Sequence, residues 1–207
     1  MALVSSTAIK INAEKSEKTF LVDEVFTNNN INGLLNKIGV DPKKEIVSDN
    51  GALRVLPEKN RCIVVTPKTE AITIAEKSAK GQYLSVKENL VFSSYAASAM
   101  DEKNLAESKK ILLLHIIDVK HEKGNYKLYR DKLRVYSWNA ENALLRKGKA
   151  KISLINYAEG EIEIYALNIV GKRLRKVPYS AANNVISFTV DNTIGEEAAM
   201  AYEIIRK

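Results

Sequence analysis

From Gly51 onward, apolar and polar residues alternate with a period of two, one short run after another. Leu53/Val55, Ile63/Val65, Ile72/Ile74 and Leu84/Val86 each put apolar side chains on one face of a short strand. Pro57-Glu58-Lys59-Asn60, Pro67-Lys68-Thr69 and Lys80-Gly81 separate them. Further strands are predicted at Leu90 to Ala97, Lys110 to Val119, Leu133 to Trp138, Ala150 to Asn156, Glu161 to Asn168, Arg173 to Val177, Val185 to Val190 and Met200 to Ile205. Ile152/Leu154, Ile162/Ile164, Ile186/Phe188 and Tyr202/Ile204 are the expected inward pairs, and Tyr157-Ala158-Glu159-Gly160 and Val170-Gly171 read as hairpin turns. Segments this short are not stable alone and must pair into sheets. Ile111 to Ile117 is apolar on both faces, the pattern of a central strand covered on both sides. Met100 to Lys110 fits either a connection between strands or, by propensity, a helix.

Upstream of that series, Ser6 to Asn12 and Lys18 to Phe26 read as strands. One helical stripe follows, at Ile31, Leu34, Leu35 and Ile38, capped by Asn30 and Gly39 and stopped by Asp41-Pro42. The expected fold is therefore all-β, of β-sandwich type, with one short helix near residues 30–38. It is read as two packed antiparallel β-modules, residues 1–107 and 108–207, or as one unit continuous across that boundary.

Length and composition narrow the picture without naming a function. A chain of 207 residues buries roughly 70% of its unfolded surface and needs no crosslinks. The single Cys62 has no partner for an internal disulfide and sits in the apolar run Arg61-Cys62-Ile63-Val64-Val65. The first residues lack the charged and apolar regions of a signal peptide. The longest apolar run is interrupted by His115 and ends at Asp118, so a soluble chain without a membrane partner is expected. A start at Met1 directly before this region suggests a piece excised from a longer parent, which leaves a secreted or periplasmic parent open.

Charge is uneven. Residues 1–107 hold 14 Lys+Arg and 14 Asp+Glu, residues 108–207 hold 18 and 11, and the net charge of +7 lies in the second half. Its densest patches are Arg146, Lys147, Lys149 and Lys151, and Lys172, Arg173, Arg175 and Lys176. A polyanion such as nucleic acid is the alternative partner they suggest. Lysines on exposed strands that block edge-to-edge pairing explain the same pattern, and that reading is preferred.

The motifs of catalysis are missing from the sequence. No Gly-x-Ser-x-Gly elbow or phosphate-binding glycine loop occurs, and Glu161 and Glu163 share one strand face instead of flanking a sugar bond. His115 and His121 have Asp118 and Glu122 nearby, but His115 and Asp118 point to opposite sides of a strand, and His115 is read as a satisfied structural histidine. No catalytic residue, metal site or cofactor is expected. One constellation has binding character: alternation puts Arg134, Tyr136 and Trp138 on one face, with Asn139 and Asn142 following. Aromatic faces stack on sugars while Arg and Asn donate hydrogen bonds, so these five residues are the candidate carbohydrate contacts; the competing reading makes Trp138 a core anchor.

Several segments, in order, resemble the C-terminal β-region of large bacterial glycoside hydrolases whose catalytic part is an upstream TIM barrel of the β-galactosidase or cellulase type. They are Ser48-Asp49-Asn50-Gly51-Ala52-Leu53, Val65-Thr66-Pro67-Lys68-Thr69, Ala97-Ser98-Ala99-Met100-Asp101 with Leu105 to Leu112, Trp138 with Leu144-Leu145-Arg146-Lys147-Gly148, and Ile164-Tyr165-Ala166-Leu167 leading to Gly171-Lys172-Arg173. They span about three quarters of the chain, and each is short and degenerate. Around Asn139 and Asn142 the sequence departs from the pattern, where Gly and Pro are more usual. The resemblance implies a non-catalytic accessory domain that supports an upstream catalytic domain of the same polypeptide and contacts carbohydrate. The barrel's catalytic glutamates have no counterpart here.

Overall fold

The computed structural model describes residues 44–129, 132–137, 143–193 and 197–207. Strands are numbered in chain order. The larger sheet runs, in space, β1 (Ile46–Val47), β2 (Leu53–Leu56), β3 (Arg61–Val65), β4 (Thr69–Ile74), β7 (Ser93–Ala99), β8 (Lys110–Ile116), β18 (Ala201–Arg206), β14 (Ile162–Leu167) and β15 (Arg173–Lys176). The smaller runs β16 (Tyr179–Ala182), β17 (Val185–Asp191), β13 (Lys149–Ile155), β6 (Leu84–Lys87) and β5 (Ala79–Lys80). Two ribbons stand apart, β9 (Val119–His121) with β12 (Ala143–Leu145), and β10 (Asn125–Tyr129) with β11 (Lys132–Ser137). All these pairings are antiparallel. The fold is all-β and sandwich-like, as the period of two predicts. The helix expected near 30–38 and the strands expected at 6–12 and 18–26 lie outside the described residues.

Alternation explains the core directly. Each expected inward pair is buried, Ile152, Leu154, Ile186 and Phe188 from the smaller sheet against Ile162, Ile164, Tyr202 and Ile204 from the larger. Ile72, Tyr95, Leu113 and Val86 join the same cluster, so one core lies between the two sheets. Position 107/108 falls between β7 and β8, hydrogen-bonded neighbours, and residues on both sides of it feed that core. Met100 to Lys110 holds a single 3-10 turn, Leu105–Glu107, and Asp101 accepts from the amides of Lys103 and Lys109 to shape the rest.

Two expectations about turns and one about burial change. Tyr157 to Gly160 joins β13 in one sheet to β14 in the other, so it is a crossing between layers and not a hairpin. The hairpin that alternation overlooked is Asn183-Asn184, where φ values of 51° and 62° give the two left-handed residues that a two-residue turn between β16 and β17 requires. The strand β8 is central in its sheet, yet only Ile111, Leu113 and His115 face the core. Leu112 and Leu114 are half-buried, and Ile116 is 46% exposed on the other side.

A buried carboxylate fixes the joint between the sheets. Glu70 is fully buried in β4 and accepts from the backbone amides of Gln82 and Tyr83 at 2.6 Å and of Leu84 at 3.1 Å. Three amide donors replace the water a carboxylate loses on burial. Gly81 makes this possible, because a Cβ there would lie 1.6 Å from Glu70 Oε1.

Candidate functional site

Between β8 of the larger sheet and β13 of the smaller one, the described residues form the two ribbons β9–β12 and β10–β11, together the arm. Its stem pairs His121 with Ala143, Lys120 with Leu144 and Val119 with Leu145. Its outer ribbon pairs Tyr126 with Val135 and Lys127 with Arg134. The Tyr126 hydroxyl accepts from the His121 amide at 3.0 Å, tying ribbon to stem. Gly124 lets that ring lie against the backbone, since a Cβ would meet it at 2.3 Å.

Arg134 and Tyr136 are both exposed on one side of the ribbon. Lys127 joins them from the partner strand. The Arg134 guanidinium lies 5.2 Å and Lys127 Nζ 5.3 Å from the centre of the Tyr136 ring, each within cation–π range. Trp138, Asn139 and Asn142 lie outside the described residues. Lys127 was not among the sequence candidates, because it comes opposite Arg134 only through the register of the ribbon.

The two dense basic patches do not share a face. Lys149 and Lys151 lie on the outer side of the smaller sheet, where they meet Asp191 at 3.7 Å and Glu88 at 2.6 Å. Arg173 and Lys176 lie on the outer side of the larger sheet, where they meet Glu203 at 2.7 Å and Glu163 at 3.1 Å. Arg173 also stacks over Tyr165 at 4.1 Å, and Arg175 donates to the Asp191 carbonyl at 2.8 Å. Glu163, which shares a strand face with Glu161, is only 9% exposed. Hydrogen bonds from Lys207 and Lys176 hold its carboxyl down to about 2.

His115 is buried, as a structural histidine should be, but it is not satisfied. Neither ring nitrogen has a hydrogen-bond partner. The ring stacks on Tyr95 at 4.9 Å and 11°, and the backbone of Gly148 closes over its edge, where a Cβ would come within 3.0 Å. Burial pushes the imidazole down to about 4, against the opposing pull of Asp191. Cys62 stands on the outer side of β3, and burial raises its thiol pKa.

The outer side of the larger sheet carries a feature that no motif announced. Strand register lines up Leu53, Val64, Ala71, Ala96, Leu114, Ala201 and Leu167 in one row across seven strands. At ordinary strand spacing the row is about 29 Å long. Hydroxyl pairs flank it, Thr69 with Ser98 at 3.0 Å and Thr73 with Ser94 at 2.8 Å. On the opposite side of the sandwich a shallow cavity of about 560 Å³ has Ser153 and Ser187 in its lining, bonded to each other at 2.9 Å, with Lys87 and Lys151 beside them.

No family model, curated protein or solved structure matches this chain. Among the described residues no helix is long and apolar enough to cross a membrane, and no three His, Cys, Asp or Glu side chains are grouped to hold a metal ion.

Proposed function

We propose that this chain is a non-catalytic accessory module of a glycoside hydrolase-like protein, and that its larger sheet buries its outer face against the catalytic domain of the same polypeptide. The observation that supports this reading is the half-buried apolar row from Leu53 to Ala201, whose far end, Leu167, is already buried by the chain itself. A one-sided sheet left to water carries polar side chains at such positions. Leu, Val and Ala there gain about 25 cal/mol for each Å² of apolar surface covered. The flanking hydroxyls bond to one another, so covering them strands few polar groups. Thr69, Ser98 and Leu112, which stand in the next row of this face, belong to the segments that carry the sequence resemblance.

The test uses a TIM-barrel glycoside hydrolase domain of the resembled type, cut from its own C-terminal β-region and melted with and without this chain. Binding to the folded barrel raises its Tm by several degrees in a concentration-dependent way. Leu114→Lys, on the exposed side of β8, removes the effect while this chain's own melt stays intact. A barrel Tm that does not move with the wild-type chain at saturating concentration overturns the reading.

A further inference from the structure

The arm concentrates charge that the sandwich neutralises. In the sequence, residues 119–147 hold eight Lys+Arg and three Asp+Glu, so +5 of the chain's +7 lies in this one stretch. On the sandwich, Lys149, Lys151, Arg173 and Lys176 each face a carboxylate. In the ribbon, Lys127 and Arg134 stand directly opposite each other in register, with no acidic partner among the described residues. Like charges placed directly opposite on a strand pair are destabilising. An anion seated between them would turn that repulsion into two charge-assisted contacts. The other side of the ribbon is apolar, with the half-buried pair Tyr126 and Val135 and the exposed Leu128, so the cations are gathered on the side of Arg134.

We propose that this side of the arm binds an anionic polysaccharide. The carboxylate or sulfate of one sugar unit lies between Lys127 and Arg134, and the adjoining ring packs against Tyr136. The guanidinium fork suits an oxyanion, and a tyrosine supplies an apolar flank with a hydroxyl at its tip. Nucleic acid is the poorer match. Single strands are held by successive bases stacking on several aromatic side chains, whereas among the described side chains of this face Tyr136 is the one aromatic. That the polyanion is a polysaccharide rests on the accessory-module reading; the charge geometry does not.

Affinity electrophoresis through gels containing polygalacturonate, a sulfated galactan, or neutral galactan tests it, with a single-stranded oligonucleotide titrated separately. Retardation by at least one of the two anionic polymers, and not by the neutral one, is expected. It should weaken sharply between about 50 mM and about 300 mM salt, because exposed charges are screened. Arg134→Ala and Lys127→Ala each weaken binding about tenfold, and Tyr136→Ala severalfold. The Lys149→Ala/Lys151→Ala pair leaves binding unchanged. Equal retardation by the neutral polymer, no retardation at low salt, tighter binding of the oligonucleotide, or arm variants that bind like the wild type each overturns the proposal. Leu114→Lys leaves the arm intact, so glycan binding can fail while barrel stabilisation succeeds, and the reverse.

Discussion

The sandwich and the arm are built from the same alternation and use it in opposite ways. In the sandwich, inward residues such as Leu113, Tyr202 and Ile152 meet a second sheet and are fully buried, and the outward cations Lys149 and Arg173 sit against carboxylates. In the arm the strands are joined two by two. Tyr126 and Val135 are only half-buried, and Lys127 and Arg134 face each other across the ribbon. A two-stranded ribbon is marginal by itself and contributes little to holding the protein together. Side chains that cost a ribbon stability are therefore tolerated there when they serve contacts outside the chain, and a core position has no such latitude.

The comparison is broken most directly by truncating one side chain from each region. Leu113→Ala empties a position in the shared core and should cost 2–5 kcal/mol in urea denaturation, by the usual range for buried leucine (roughly 2–5). Tyr136→Ala, 54% exposed, should stay within about 0.5 kcal/mol. A loss above about 2 kcal/mol for Tyr136→Ala would make the arm part of the cooperative core.

A smaller effect sharpens the contrast through pH. The unfolded chain takes up a proton at His115 near 6.5, whereas the folded chain resists until about 4. Stability from this residue is therefore complete above pH 6.5 and declines as pH falls toward 4, by about 3 kcal/mol in all. His115→Phe, which keeps a ring against Tyr95, should flatten the slope in that window, as read from urea midpoints at a series of pH values. An unchanged slope would show that His115 is not the group being titrated. Smaller again is the turn at the edge of the smaller sheet. Asn184→Ala forces an alanine into the left-handed region and should cost about 1 kcal/mol, while Asn184→Gly should not destabilise. A neutral alanine variant in the same denaturation assay would mean that the turn has relaxed.

Much of the sandwich was legible because a period of two reports which side of a strand is buried. The inward pairs from Ile152 to Ile204 could be named from their spacing alone. What spacing does not report is which strands become neighbours. That is why Tyr157 to Gly160 passed for a hairpin when it changes sheets, and why the apolar row across Leu53, Val64, Ala71, Ala96 and Leu114 was invisible, since those residues meet only through register. The expected cover over Leu112 and Leu114 followed from treating every apolar residue of a central strand as buried by its own fold. His115 misled for a related reason, because a sequence shows that a polar ring is in the core but not whether a donor or acceptor reaches it. At the candidate site, alternation placed Arg134 and Tyr136 together, while Lys127 arrives from the opposite strand.

The position of β18 bears on how the protein comes off the ribosome. It is the latest strand in the sequence, yet it lies between β8 and β14 and hydrogen-bonds to both. Until residues 201–206 are synthesised, the larger sheet remains in two pieces, with the open edges of β8 and β14 unpaired. Such edges recruit other strands, and pairings between residues this distant in sequence form slowly. The nascent chain thus passes through a period in which the side chains that later make its core are exposed, and it is then that a chaperone would matter most to its yield.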